Sequence, residues 1–463
     1  MKQIVVVGGG VAGLAAALRL RKHSARITVL EASPKFGGRS YSFQPRGGGS
    51  EIDNGQHVLM GCCRDTLEYL RICGTAELLD RRRGMALSFV HADGRRALLA
   101  AGGLPHPIGL AQAFLSYRML PLASRLGITR VAWRLKTLSA QERDTLDAIG
   151  AEEWLRSLRQ RDDAIACFWK PVILATMNTA MQHASAKLLS VVLTEIFLGK
   201  EDASDMLLPR TGLTPLLVDG ALEKLRQHET RLRSHVLVER LDVAETGVRG
   251  VWLKDGDYVP TDIVVSAIPP WSLQRLVENS GIDGTGIEFS RFVPSEILSL
   301  HFWSRRDLGL PPMTGLLETA LHWIFAKGQD ADGSYRYSAT ISAVPESVPR
   351  DDDALRTILL RELRLAMPDL TEEDILRLQA IREKRATFLP RPGLEPFRPH
   401  TRSAVPGLYL AGDWTATGLP ATIESAVRSG FAAGDAVIAD AERVAKVDTM
   451  ESPLPTEPPR ARA

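Results

Sequence analysis

Ile4-Val5-Val6-Val7-Gly8-Gly9-Gly10-Val11-Ala12-Gly13 opens the chain, and Arg26-Ile27-Thr28-Val29-Leu30-Glu31 follows shortly after. The unbroken apolar run Ile4 to Val7 suits a strand buried on both faces. Val11 to Lys22 is rich in Ala and Leu and turns basic at its end, which predicts a helix. Arg26 to Leu30 then predicts a second strand, and a β-α-β unit this short requires a parallel pair with a right-handed crossover. Gly8, Gly10 and Gly13 fall where strand gives way to helix. The first allows a tight turn, the second lets a pyrophosphate approach the backbone, and the third lets helix pack on strand. Ala12 lies in the first helical turn, where free N–H groups and the positive dipole end face phosphate. Glu31 stands 18 residues after Gly13, placed to accept from a ribose 2′-OH; an acid there argues against a 2′-phosphate.

Outward from this unit, 463 residues are too many for one core, so two or more domains are expected. A hydrophobic fraction of 44% and a charged fraction of 24% are those of an ordinary globular protein. The formal charge of +2, with no basic run interleaved by aromatics, gives no footprint for nucleic acid. Cys62, Cys63, Cys73 and Cys167 form no CxxC or metal-ligand spacing. No metal is therefore expected, and reduced thiols in a cytoplasmic protein are the simplest account. The first residues carry no targeting pattern, and no apolar stretch reaches the roughly 18 residues a membrane span needs.

The middle of the chain reads differently. Residues 94–141 contain no Asp or Glu but seven Lys/Arg among many apolar residues, and helical patterns dominate 142–200. Strand-like runs return at 231–268, 286–345 alternates like a sheet, and 351–380 reads as helical and charge-rich. Leu408 to Asp413 predicts another buried strand, followed by a helix from about Thr422. The stretch from Val447 is rich in Pro, Glu and Arg and is expected to be disordered.

Glu31 runs on through Ala32-Ser33-Pro34-Lys35-Phe36-Gly37-Gly38-Arg39, adding a glycine pair and a cation that could face the pyrophosphate. Far downstream stand Ala411-Gly412-Asp413-Trp414-Thr415 and Leu419-Pro420-Ala421-Thr422-Ile423-Glu424. These segments resemble the C-terminal motif of the flavin amine oxidase and phytoene desaturase superfamily, which implies FAD as cofactor. The resemblance implies that Gly412 and Asp413 meet the ribityl chain and that the helix begun by Thr422 and Ile423 points at the flavin N1/O2 edge. Reduction places negative charge on that edge, which a helix N-terminus stabilises. Val238 matches, more loosely, a residue whose backbone bonds adenine. The fold expected is therefore α/β and amine-oxidase-like. A Rossmann-like FAD-binding domain would be assembled from 1–85, 205–275 and 400–445, and an inserted α+β substrate domain from 86–204 and 276–399, with a tail at 446–463.

Three further stretches carry a narrower resemblance. They are Ile52-Asp53-Asn54-Gly55-Gln56-His57-Val58-Leu59-Met60-Gly61-Cys62, Phe168-Trp169-Lys170-Pro171 through Ala175-Thr176-Met177-Asn178-Thr179 with Ala184-Ser185-Ala186, and Ser204-Asp205-Met206-Leu207-Leu208-Pro209-Arg210. Together they resemble the hydroxysqualene dehydroxylases, squalene-associated flavoproteins of bacterial hopanoid pathways. The resemblance implies exchange of an allylic hydroxyl for hydrogen on a hydrophobic isoprenoid, giving squalene, with an external electron donor. Hydroxide leaves poorly, so a proton donor should assist, and a delocalised allylic cation would accept hydride. Asp53, His57 and Lys170 are the candidate donors; each has an ordinary structural role open to it as well. A carotenoid-type desaturase and an amine oxidase remain alternatives, because the fold does not set the direction of hydride transfer. A non-catalytic isoprenoid carrier is disfavoured by the intact cofactor motifs.

A thirty-carbon hydrocarbon is nearly insoluble, so docking at a bilayer is an expectation. The acid-free segment 94–141 offers Leu110, Phe114, Tyr117, Leu120, Leu122 and Leu126, with Arg118, Arg125, Arg130, Arg134 and Lys136 for anionic headgroups. The protein would then rest on the inner face of the cell membrane. The competing account is an ordinary pair of core helices with a solvated basic edge.

Overall fold

The computed structural model describes residues 3–21, 25–101, 104, 106–282 and 285–451, with side chains through Arg443. The opening unit forms as its pattern predicts: strand Gln3–Val7, helix Val11–Leu20 and strand Arg26–Leu30. Lys22, the expected helix end, lies outside the described residues. The two strands are central in a five-stranded, wholly parallel sheet. Its order is Arg231–Arg233, Arg26–Leu30, Gln3–Val7, Ile263–Ser266, Leu408–Leu410. Burial on both faces explains the continuous Val/Ile/Leu runs.

The last strand of that sheet leads into helix Ile423–Glu451, which lies along Val11–Leu20. The contact is close because Gly430 and Gly434 face the first helix. A Cβ on Gly430 would stand 2.2 Å from the Ala12 carbonyl oxygen. The helix continues past residue 445 to Glu451, and residues 452–463 of the expected tail lie outside the described residues.

A seven-stranded mixed sheet makes the other half of the molecule. Strands Ala86–His91 and Arg96–Ala100 join it at one edge, beside strands drawn from residues 294–388. Between these two chain segments lie the helices of residues 108–197, whose apolar faces form one large core. The expectation of helix over 351–380 is corrected in its second half. The helix Asp352–Ala366 ends at Met367-Pro368, and Ile375–Phe388 is a strand. Among the described residues that strand pairs with one neighbour, Pro294–Ser304. Edge position and wet side chains account for its charge, which periodicity alone cannot tell from a solvated helix.

The three stretches that carried the narrower resemblance fasten the halves together. Leu59–Met60 pairs with Met206–Pro209, and a Cβ on Gly61 would fall 1.7 Å from the Asp202 carbonyl oxygen. Asn178 donates to Thr387 Oγ1 and accepts from the Ala343 N–H, while Ser295 Oγ donates to its carbonyl. A π-helical turn, Ile165–Trp169, precedes Pro171. The proline cannot donate and its ring crowds the carbonyl four residues back; Tyr117 Oη supplies that Cys167 carbonyl with a hydrogen bond instead.

Candidate active site

Gly8 takes φ +104°, a conformation that side chains strain to adopt, and its N–H donates to Leu30. Gly13 lies so close beneath it that a Cβ would stand 1.9 Å from the Gly8 carbonyl oxygen. Gly10 differs. Its φ of −72° suits any residue, and a Cβ would meet nothing nearer than Gly38 Cα at 3.7 Å. What Gly10 keeps clear is therefore space beside the helix N-terminus, which no side chain caps among the described residues. Free N–H groups facing such a cradle fit a pyrophosphate. Glu31, buried, accepts from the Gly9 and Ser33 N–H groups at 2.7 and 2.8 Å. Each oxygen retains a lone pair for a ribose hydroxyl. Val238 begins the strand Val238–Ala244 and is buried against Leu30, whose strand end joins it through the Val236 N–H to Glu31 O bond.

The closing segment arrives on the same side of the sheet. The Ala411 N–H donates to Ser266, and Ala267 in turn to Val7, so three strand ends lie side by side. Ligands of open parallel sheets bind at these carboxyl ends. Gly412 has φ +137° and donates to Ser429 Oγ at 2.8 Å. Asp413, 6% exposed, receives Arg39 Nη2 on both carboxylate oxygens at 2.9 Å. Thr422 Oγ1 accepts from the Ser425 N–H and so caps the last helix, leaving the N–H groups of Ile423 and Glu424 at its open end. Glu424 itself turns aside and accepts from Asp65 N, Thr66 N and Thr66 Oγ1.

A polar cluster adjoins this site. Asp53 Oδ1 accepts from Ser42 Oγ and the Leu213 N–H, both at 2.8 Å, and Oδ2 faces Lys327 Nζ at 3.8 Å. Burial lowers the Lys327 pKa, with Asp53 opposing and Arg336 assisting the fall. His57 is pushed down to about 4 by burial, against the pull of Asp53. His301, on the strand Pro294–Ser304, is pushed down to about 4 for the same reason, and its Nε2 has no partner among the described residues. Both imidazoles are thus neutral at pH 7. The side-chain amide of Gln56 is likewise without a partner at either end among the described residues. Unsatisfied buried amides are costly, so Gln56 marks a position where a polar ligand edge fits.

Asp53 and His57 are therefore brought together, whereas Lys170 is exposed and paired with Glu318 at 3.0 Å. Arg210 meets Asp80 at the surface. The four cysteines are free thiols. Two polar clefts, one at Arg305 and Arg356 and the other at His183 and Arg391, are lined by none of the cofactor or cluster residues. Sequence reasoning missed Lys327, His301 and Arg398. Lys327 carried a faint signal, a lone cation in the apolar alternation Trp323–Gln329. Arg398 carried none. Its fully buried guanidinium donates to the carbonyls of Asp413, Trp414 and Leu419, to Thr417 Oγ1 and to Glu395. It thereby fixes the loop that presents Asp413.

The cradle, the acid, the second glycine turn and the open N–H groups of Ile423 and Glu424 fit FAD. Comparison with known proteins agrees. The model of the family described as flavin containing amine oxidoreductase matches residues 11–438. A protein of Rhodopseudomonas palustris named hydroxysqualene dehydroxylase is 31% identical, over 95% of this chain and 99% of its own. One of the same name from Zymomonas mobilis is 27% identical, over 93% and 97%. The tomato 15-cis-phytoene desaturase is 22% identical, over 95% of this chain and 78% of its own. Among solved structures, a putrescine oxidase variant superimposes with a TM-score of 0.72 at 16% identity, covering 95% of this chain and 99% of that one. The chain therefore belongs to the flavin containing amine oxidoreductase family, with FAD as its cofactor, and within it to the hydroxysqualene dehydroxylases.

Proposed function

We propose that the chain replaces the hydroxyl of hydroxysqualene by hydrogen, giving squalene and water. The relatives' names supply the substrate. The observation that carries the chemistry is Lys327, a lysine of lowered pKa held at 3.8 Å from Asp53. A burial-weakened ammonium is a better acid than a free lysine, and Asp53 keeps it protonated until it acts. Lys327 gives its proton to the leaving oxygen, the C–O bond breaks toward oxygen, and an allylic cation remains on the substrate. Reduced FAD, when bound, supplies the hydride that completes the C–H bond. Neutral His57 and the Gln56 amide orient the hydroxyl, and Asp53 holds the ammonium in place; Lys170 has no part in this reading.

The balance requires two electrons from outside, so a pyridine nucleotide or a redox partner recharges the cofactor. Val58, Met60 and Cys62 pack against the apolar core of the helical insertion, and the isoprenoid tail runs along that side. A cytoplasmic enzyme working on such a substrate meets it at the membrane. Among the described residues no helix is long and apolar enough to cross one.

Anaerobic incubation of the FAD-loaded, dithionite-reduced protein with hydroxysqualene tests the proposal, with squalene measured by mass spectrometry. Absence of squalene sinks it. Desaturation of phytoene by the oxidised protein would favour the desaturase reading instead.

A further inference from the structure

Ten large apolar side chains are strongly exposed among the described residues, and seven of them fall between Leu98 and Trp133. That concentration sets this segment apart from scattered surface leucines, which need no explanation. Helix Leu122–Thr137 buries Ser124, Ile128, Val131 and Leu135 on one face. Leu122, Leu126 and Trp133 are 62%, 53% and 66% exposed. At 3.6 residues per turn these three lie within about 40° of one another, opposite the buried stripe. The preceding helix, Ile108–Ser116, turns Ile108 and Leu115 outward, seven residues apart, while Leu110, Ala113 and Phe114 face the core. Each helix thus has two apolar faces, of which packing uses one.

The charges carried by the helix pair itself have one sign. Arg134 is bound to Glu142 and Arg125 to the carbonyls of Leu115 and Leu120. Arg118, Arg130 and Lys136 are exposed and have no carboxylate partner among the described residues. We propose that this helix pair is a docking face for the surface of a bilayer bearing anionic headgroups. Leu122, Leu126 and Trp133 enter the interface, and Arg118, Arg130 and Lys136 meet the phosphates. A second copy of the chain fits less well, since pairing the face with itself would bring like charges together. The choice of a lipid rests on the proposed substrate. The inner faces of the same helices join the core against which Val58 and Met60 pack, so the docking face and the segment 52–62 share one apolar body.

Co-sedimentation of the FAD-loaded full chain with vesicles tests this. Phosphatidylcholine mixed with phosphatidylglycerol should carry the protein down, and phosphatidylcholine alone should carry far less. Leu126→Glu with Trp133→Glu should weaken partitioning at least about tenfold with an unchanged circular dichroism melt. Arg130→Gln with Lys136→Gln should lower binding to the anionic vesicles only, as should high salt. Equal partitioning of parent and Glu variant overturns the proposal. So does a dimer in sedimentation velocity that the same variant dissociates. Turnover of detergent-dispersed hydroxysqualene should survive in the Glu variant; its absence from parent and variant alike strikes the proposed reaction and leaves the vesicle result standing.

Discussion

Arg39 grips both carboxylate oxygens of Asp413 at 2.9 Å across 374 residues of sequence. The pair joins the second glycine turn to the closing strand-to-helix junction. Asp413→Ala leaves that cation without its partner and, on the reading that Asp413 meets the ribityl chain, removes an acceptor for its hydroxyls. FAD affinity should fall about 10- to 100-fold, the loss of one or two charge-assisted hydrogen bonds. Titration of the apoprotein by flavin fluorescence measures it, and an unchanged Kd would refute the placement of Asp413 at the cofactor.

Gly10 and Gly13 separate binding from folding. Gly13→Ala drives a methyl to 1.9 Å from a backbone oxygen and should cost about 3 kcal/mol or more of stability. Gly10→Ala meets no protein atom nearer than 3.7 Å, at a φ that alanine adopts freely. It should therefore keep the melting temperature of the apoprotein while losing FAD, because the methyl occupies the phosphate approach. A Gly10→Ala protein that stays yellow would show that the cradle serves packing alone.

The parts legible beforehand share a physical trait: their meaning is local. A buried parallel strand, a turn that only glycine can make and a helix N-terminus each write their requirement into adjacent residues, as at Ile4 to Glu31. Asp53 and His57 were legible as polar groups within one segment, but their partners were not. Lys327 and His301 reach them from strands more than two hundred residues on, and only the register of the seven-stranded sheet sets those side chains beside Asp53. Strand Ile375–Phe388 misled because an edge strand and a solvated helix both look charged. Arg398 sits in a loop without period, and its role follows wholly from the five groups it bonds.

Arg398→Met should show how much that loop matters. It removes a fully buried cation, orphans the carbonyls of Trp414 and Leu419 together with Glu395, and leaves the Asp413 carbonyl to Ser425 Oγ alone. Breaking a buried pair by deleting one partner costs about 3–5 kcal/mol. Chemical denaturation should register a loss of that order, and FAD release should accompany it. A stable variant with normal cofactor affinity would mean the loop holds its shape without the guanidinium.

His301 predicts acid lability. Its pKa in the folded protein is about 4, against 6.5 when free, so the unfolded chain binds the extra proton between those values. Stability is then complete above about pH 6.5 and falls as pH drops toward 4, by about 3 kcal/mol at most from this residue. His301→Phe, similar in shape and unable to titrate, should flatten the slope of unfolding free energy over pH 4–6.5. An identical slope in parent and variant would place the proton elsewhere, with His57 the next residue to replace.

Lys327 gives the sharpest test of the chemistry. If its ammonium protonates the leaving oxygen, Lys327→Met should lower turnover by about 10²- to 10⁴-fold, the usual contribution of a positioned acid. FAD binding should be unaffected, since the glycine cradle and Glu31 are the groups proposed for its phosphates and ribose. The acid form is lost as pH rises, so the rate should fall on the alkaline side. Burial sets that limb below the ordinary lysine value of 10.5, and Asp53 restrains the fall. Removing the restraint fixes the sign: Asp53→Asn should move the limb to lower pH, because the ammonium loses the carboxylate that stabilises its charge. A limb that stays put in Asp53→Asn, or moves upward, would show that the titrating acid is not the lysine that faces this carboxylate.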